Sequence, residues 1–252
     1  MGADNRNIPE ELNNPKREER PRSLVDLIEL KTIDLDLAAW LLSHVSKGNS
    51  LITGSGPGGI GKSTTMRALM AFAPGNLPFA IAWPEKITRI ESPSCVISHE
   101  ISDHRPPGYL WGQDARDFFA HSERGSMLVG NMHADDLDEV HHQIVEACEV
   151  PEAQFRSVNF FIFLWIEGVD PSVKERIKDN PSRRFITKIF YSDGKNAHDL
   201  IYSEENGLSQ NVPRDAEYEQ QCHTFLEGAL EDSLRDINEL RHRFLDWAQE
   251  NA

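Results

Sequence analysis

The stretch Ser50-Leu-Ile-Thr-Gly-Ser-Gly-Pro-Gly-Gly-Ile-Gly-Lys-Ser-Thr-Thr-Met-Arg-Ala-Leu-Met70 decides how this chain folds. Leu51 and Ile52 open it as a short apolar strand, and Met66, Leu69 and Met70 close it on one face of a helix. Between them lies a loop with five glycines. Within it Gly56-Pro57-Gly58-Gly59-Ile60-Gly61-Lys62-Ser63 fits the pattern G-x-x-x-x-G-K-[ST] at every fixed position, and Thr64 follows. Glycines let backbone amides turn inward around phosphate oxygens, and a helix starting near Lys62 adds the positive end of its dipole. The segment from Gly56 to Thr64 is therefore expected to cradle the phosphates of ATP. Lys62 would reach the β- and γ-phosphates, and the Ser63 hydroxyl would ligate Mg²⁺.

Composition narrows what surrounds this loop. The 252 residues can hold one sizeable α/β domain with an appendage. With 26 basic and 41 acidic residues the formal charge is −15, which opposes general attraction to nucleic acid or anionic lipid. Cys95, Cys148 and Cys222 lie far apart without a zinc pattern or a disulfide framework, as expected in a reducing cytoplasm. No apolar run reaches the length of a membrane span, and the N-terminus is too polar for a secretory signal.

Three segments are expected. Residues 1–22, rich in Asn, Pro, Glu and Arg, read as a disordered arm outside the fold. Residues 23–214 read as the nucleotide-binding domain, and 215–252 as a C-terminal helical segment, broken near Gly228, that docks on the same domain or on another subunit. Within the domain the pattern predicts helices from Ser23 and over Asp34 to Val45, then strands over Phe79 to Trp83 and Ile87 to Glu91. A polar, Pro-bearing stretch from Ser92 to Gly108 offers little that packs. Further elements are a strand at Tyr109 to Trp111, a helix from Asp114 to Ser122, a buried strand at Ser126 to Gly130 and a helix from Leu137 to Cys148. Strands at Val158 to Ile166 and Arg184 to Tyr191 flank a charged excursion at 168–183. Such alternation predicts an α/β fold, a mainly parallel sheet with helices on both faces.

Downstream motifs occur in a telling order. Ser126-Met-Leu-Val-Gly-Asn-Met-His133-Ala134 resembles the His box of the type II/IV secretion ATPase superfamily, RecA-like motors of secretion systems, pili and archaeal flagella; Asn131 stands where those proteins usually have Thr. Leu110-Trp-Gly112-Gln113-Asp-Ala-Arg116-Asp117 is similar to the family's Walker B segment, with Gln113 in place of its glutamate. Ile87-Thr-Arg-Ile-Glu91-Ser-Pro93 is similar to its acidic box, with Ser92 replacing an aspartate, and Arg183-Arg184-Phe-Ile-Thr-Lys-Ile189 to its late strand. The resemblance covers roughly residues 23 to 195 and implies a RecA-like P-loop NTPase, divergent and without the separate N-terminal domain of those motors. It also implies a motor-type ATPase in the cytoplasm, peripheral to a membrane machine, that self-associates weakly with a hexamer favoured.

The chemistry expected of such a site assigns further roles. A water must be oriented by a carboxylate that can take its proton, and Gln113 is a negligible base, so turnover is expected to be slow. Glu91 and Asp114, both expected at strand ends on the phosphate side, are candidate replacements, Glu91 also as a link to Mg²⁺. Glu167 is a rival acid. His133 is expected to sense the γ-phosphate, and Arg89, Arg105 and Arg116 are candidate charge stabilisers across a subunit boundary. His141 and His142, adjacent in sequence, do not share a helix face and make no metal site. Two other readings stay open. Gly58-Gly-Ile-Gly-Lys-Ser-Thr64 also resembles signalling and partitioning NTPases that switch assembly, and Gln113 suits a nucleotide-binding scaffold without turnover. A small-molecule kinase has least support, since no Arg-rich lid stands out.

Overall fold

Strand β1 (Leu51–Gly54) is buried along its whole length, as a strand covered on both faces must be. It pairs in parallel with β6 (Met127–Met132) on one side and β7 (Phe160–Ile166) on the other, with Leu51 opposite Val129 and Phe160. Beyond β6 the parallel order continues through β3 (Cys95–Ile97) to β2 (Phe79–Ile81). Beyond β7 the sheet turns antiparallel through β8 (Arg184–Tyr191), β9 (Asp199–Ser203) and β10 (Gly207–Leu208). Two short strands, β4 (Glu100–Ile101) and β5 (Tyr109–Leu110), form a side branch joined to β6 at Ile101 and Met132. The computed structural model describes residues 6–12, 20–104, 106–173, 175–177 and 180–251. Its mostly parallel sheet with the phosphate loop leaving a central strand is the expected RecA-like α/β architecture.

Period-two alternation divides the core between the faces. Leu51, Phe160, Ile162 and Leu164 point to one side, where α1 (Leu24–Glu29), α2 (Leu35–Val45), α3 (Lys62–Met70), α7 (Ala216–Glu231) and α8 (Ile237–Glu250) cover them. Ile52, Phe161 and Phe163 point to the other, under α4 (Gln113–Ala120), α5 (Leu137–His141) and α6 (Glu152–Arg156). Asp34 caps α2 by accepting from the Leu37 N–H at 2.7 Å.

The C-terminal helices dock on their own domain. Phe225, Phe244 and Trp247 pack against one another in tilted and edge-on contacts, and Phe72, just past α3, packs on the first two edge-on. Fully buried Arg241 donates to the Ala71 and Ala73 carbonyls at 2.7 and 2.9 Å, with its guanidinium 4.6 Å from the Phe79 ring. Those carbonyls close the C-terminal end of α3, where a cation is favoured. Burial pulls the Arg241 guanidinium down to about 10. The helix runs through Gly228; its break comes at Asp232 to Asp236, where Ser233 has φ 52°.

Three expectations need correction. Part of the N-terminal arm is folded: buried Ile8 donates its N–H to Asn238, and Leu12 accepts from Arg67 beside α3. The remainder, residues 1–5 and 13–19, lies outside the described residues. Ile87 to Glu91 is no strand: the Trp83 carbonyl accepts from both Lys86 and Ile87, which winds Ile87–Arg89 into a 3₁₀ turn and buries Ile87. The stretch from Ser92 to Gly108 packs after all, since Cys95, Val96 and Ile97 form the fully buried β3.

Candidate active site at the P-loop

The loop between β1 and α3 owes its shape to backbone that only glycine adopts readily. Gly59 has φ +89° and Gly61, the N-cap of α3, φ +116°. No side chain caps α3, so its first N–H groups and its dipole face the loop, an arrangement that favours an anion. Ile60 is buried in the core and anchors the crest, while the Pro57 carbonyl accepts from the Ser55 hydroxyl at 3.0 Å.

Lys62 is only 6% exposed. Its Nζ donates to the Ser55 carbonyl at 3.2 Å and lies 3.2 Å from His133 Nδ1 and 3.7 Å from Glu100 Oε1. Burial pushes the Lys62 ammonium below its ordinary range, and the charges of Glu100 and Asp135 oppose that push. His133 Nδ1 is 2.7 Å from the Gly56 carbonyl, which can only accept, so this shorter contact places the ring proton on Nδ1. The opposite nitrogen, Nε2, is 3.5 Å from Glu100 Oε1. Glu100 is 7% exposed, and its Oε1 has no hydrogen-bond partner despite lying between a lysine and a histidine. This oxygen is thus paired by charge with Lys62 but not hydrogen-bonded, and it lies beside the lysine of the phosphate loop.

A second network fixes Ser63. The Thr53 hydroxyl donates to Asn131 Oδ1 at 2.6 Å, and Asn131 Nδ2 donates to the His99 carbonyl at 3.0 Å and to Ser63 Oγ at 3.3 Å. The His99 carbonyl orients the amide, because an amide oxygen facing it would repel. Asn131 thus ties β1, β6, the β3–β4 turn and α3 to one point beside the hydroxyl expected to hold Mg²⁺. The Asp135 carboxylate accepts from the Gly56 N–H, so a second acid borders the loop. Among the described residues no group of three His, Cys, Asp or Glu forms a metal site of its own. Mg²⁺ bound with a nucleotide takes most of its ligands from phosphate and water, so Ser63 with the unsatisfied Glu100 Oε1 nearby is a fitting protein contribution.

Of the candidates read from the sequence, Lys62 lies against His133, Ser63 follows Lys62 in the chain, and among the described residues no side chain of the others bonds these three. Glu91 is exposed and precedes β3, at the end of the parallel strands opposite to the loop. Its expected place on the phosphate side is therefore corrected: the strand meant to carry it is a 3₁₀ turn. Gln113 opens α4, where its amide donates to Asp117 at 2.7 Å and accepts from Arg116 at 3.1 Å. Arg116 also donates to the Cys148 carbonyl. Asp114 sits on the same helix, and burial, then Asp117, pushes its carboxyl up. Among the described residues none of these three bonds Lys62, Ser63, Glu100 or His133. Glu167 is exposed at the end of β7, 3.8 Å from Arg183. Arg89 is exposed on the turn after β2, and Arg105 lies outside the described residues. Sequence reading missed Glu100 and Asp135. The signal for Glu100 was the apolar triplet Cys95-Val-Ile97 with an acid three residues on.

No protein-family model and no curated protein matches the chain. Among solved structures, the VirB11 ATPase from the Brucella suis type IV secretion system, crystallised in complex with sulphate, is similar over 74% of this chain and 56% of that chain, at 17% identity and a TM-score of 0.44. The chain spans little more than half the length of that structure, and what it does is read from its own residues.

Proposed function

We propose that the chain is a Mg²⁺-dependent ATP-binding domain of the motor type that hydrolyses its nucleotide, with Glu100 as the acid that orients water. The observation that carries this reading is the unsatisfied, buried Glu100 Oε1 held between Lys62 and His133 beside a complete P-loop. Gly56 to Thr64 wraps the phosphates, Lys62 moves from protein acceptors to the β- and γ-phosphates, and His133 meets the terminal phosphate. Glu100, freed from the lysine, accepts the proton of the attacking water. Mg²⁺, met by the Ser63 hydroxyl, supplies neutralisation of phosphate charge. Gln113, tied up on α4, does not set the rate. The same reading includes weak self-association, a hexamer favoured, and work at the cytoplasmic side of a membrane machine; no helix among the described residues is long and apolar enough to cross a membrane.

A second reading, a nucleotide switch or scaffold without turnover, has one observation in its favour. Glu100 and Asp135 engage Lys62 and Gly56 as phosphate would. Phosphate release from ATP and from GTP separates the two. Release above the Lys62→Ala background supports the hydrolase, whereas ATP binding by calorimetry with no release establishes the switch.

A further inference from the structure

The excursion between β7 and β8 reads as a charged surface loop, yet it is fastened to the P-loop. The Ile177 N–H donates to the Gly58 carbonyl at 2.9 Å, and Ile177 packs on the core. Its carbonyl crosses Gly59 so closely that a Cβ there would lie 2.0 Å from the oxygen. On the return, Arg184 donates to the Asn180 and Ser182 carbonyls at 2.7 and 2.9 Å while its stem lies over Gly61. Ile177 and Arg184 thus meet three glycines of the phosphate loop.

Arg176 immediately precedes the fastened Ile177. Its Cγ is 3.4 Å from where a Gly58 Cβ would stand, so its stem runs along the crest of the loop. Its charge reaches Tyr109, where burial and then the Glu100 charge push the phenol up and Arg176 opposes them. Tyr109 is the register partner of Glu100. Arg176 and Glu100 are thus both within electrostatic reach of Tyr109, and among the described residues Arg176 forms no ion pair.

We propose that Arg176 is a catalytic residue supplied by the chain to its own site, donating from its guanidinium to the terminal phosphate of bound ATP as that phosphate is transferred. The proposal rests on the hydrolase reading. In that step the water oxygen bonds to the γ-phosphorus as the bond to the β,γ-bridging oxygen breaks. ADP leaves with the electron pair, and the water proton passes to Glu100. Charge develops on the transferring oxygens and the leaving oxygen, and a planar five-donor cation suits them better than a second lysine. A charge stabiliser in the same chain also removes the need for one of Arg89, Arg105 or Arg116 from a neighbour.

The test measures binding of Mg-ADP with and without aluminium fluoride, a mimic of the phosphoryl group in transfer, to wild type, Arg176→Ala and Arg176→Lys. Wild type should gain affinity with fluoride; Arg176→Ala should bind ADP alone unchanged but lose this gain, and its ATP turnover should fall about 1,000-fold. Arg176→Lys should recover part of both. An Arg176→Ala protein that keeps the full fluoride gain overturns the proposal, as does a wild type that releases phosphate from ATP yet gains nothing from fluoride. A wild type that binds no nucleotide overturns the hydrolase reading instead. Equal melting temperatures of the three proteins exclude misfolding as the cause of a loss.

Discussion

The loop from Gly54 to Lys62 and the flank from Cys95 to Leu110 meet at one site, but they are specified differently. In the loop, positive φ at Gly59 and Gly61 and the uncapped start of α3 are local properties, written in consecutive residues. In the flank, Glu100 acquires its place only because β3 pairs with β6 and β4 branches from it. Nothing in the flank's own sequence states those pairings. On the proposed function, phosphate binding is thus encoded locally, and the acid proposed to act on the phosphate is encoded by topology.

The largest effect should come from the locally encoded half. Lys62→Ala should weaken Mg-ATP binding by about 100-fold or more, in line with loss of a buried charge-assisted contact. Calorimetry checks it; equal affinity of mutant and wild type would break the account of the loop.

That contrast explains what was legible beforehand. Alternating apolar strands and helices gave the α/β fold, and the glycine pattern placed Lys62 and Ser63. His133 could be singled out because the apolar run ending in Met-His-Ala resembles the His box of the secretion ATPases. Glu100 could not: β3 is three residues long, lies between Pro93 and Pro106, and is apolar only at Cys95, Val96 and Ile97. The family resemblance points instead to Glu91 and Gln113, through segments similar to its acidic box and Walker B segment. The Ile87 run became a 3₁₀ turn because its backbone bonds close locally on Trp83. The folded part of the arm was hidden for a similar reason, since its apolar anchors are only the buried Ile8 and the partly buried Leu12.

Both regions lean on α3, and Arg241 holds its far end. Arg241→Met should remove two hydrogen bonds to buried carbonyls and lower folding stability by about 2–4 kcal/mol. Denaturant unfolding measures it, and a loss under a few tenths of a kcal/mol would mean that the tail is not part of the domain's core.

Gly59→Ala sharpens the comparison from within the loop. It forces a β-carbon into positive φ and against the Ile177 carbonyl, at a cost of about 1–3 kcal/mol. Nucleotide affinity should fall with stability, whereas Gly168→Ala, at positive φ but in open space, should leave affinity intact.

The smallest effect lies outside both regions and serves as their control. Burial lowers the affinity of His198 for a proton, opposed by the Val158 carbonyl. The unfolded chain then binds more protons, so the histidine's contribution is complete above about pH 6.5 and is lost as pH falls through that value toward the folded one. His198→Gln, whose longer amide can still donate to Val158, should flatten the decline of the melting temperature on acidification. An unchanged pH profile would remove His198 as its source.

The central claim, that topology places the acting acid at Glu100 and not on α4, is met most directly by phosphate release at saturating Mg-ATP from Glu100→Gln and Gln113→Glu. The account predicts that Glu100→Gln binds ATP but releases phosphate about 100-fold or more slowly, in the range for loss of a positioned base, and that Gln113→Glu leaves the rate unchanged. Full activity in Glu100→Gln together with acceleration in Gln113→Glu would contradict it and return the acid to the α4 segment.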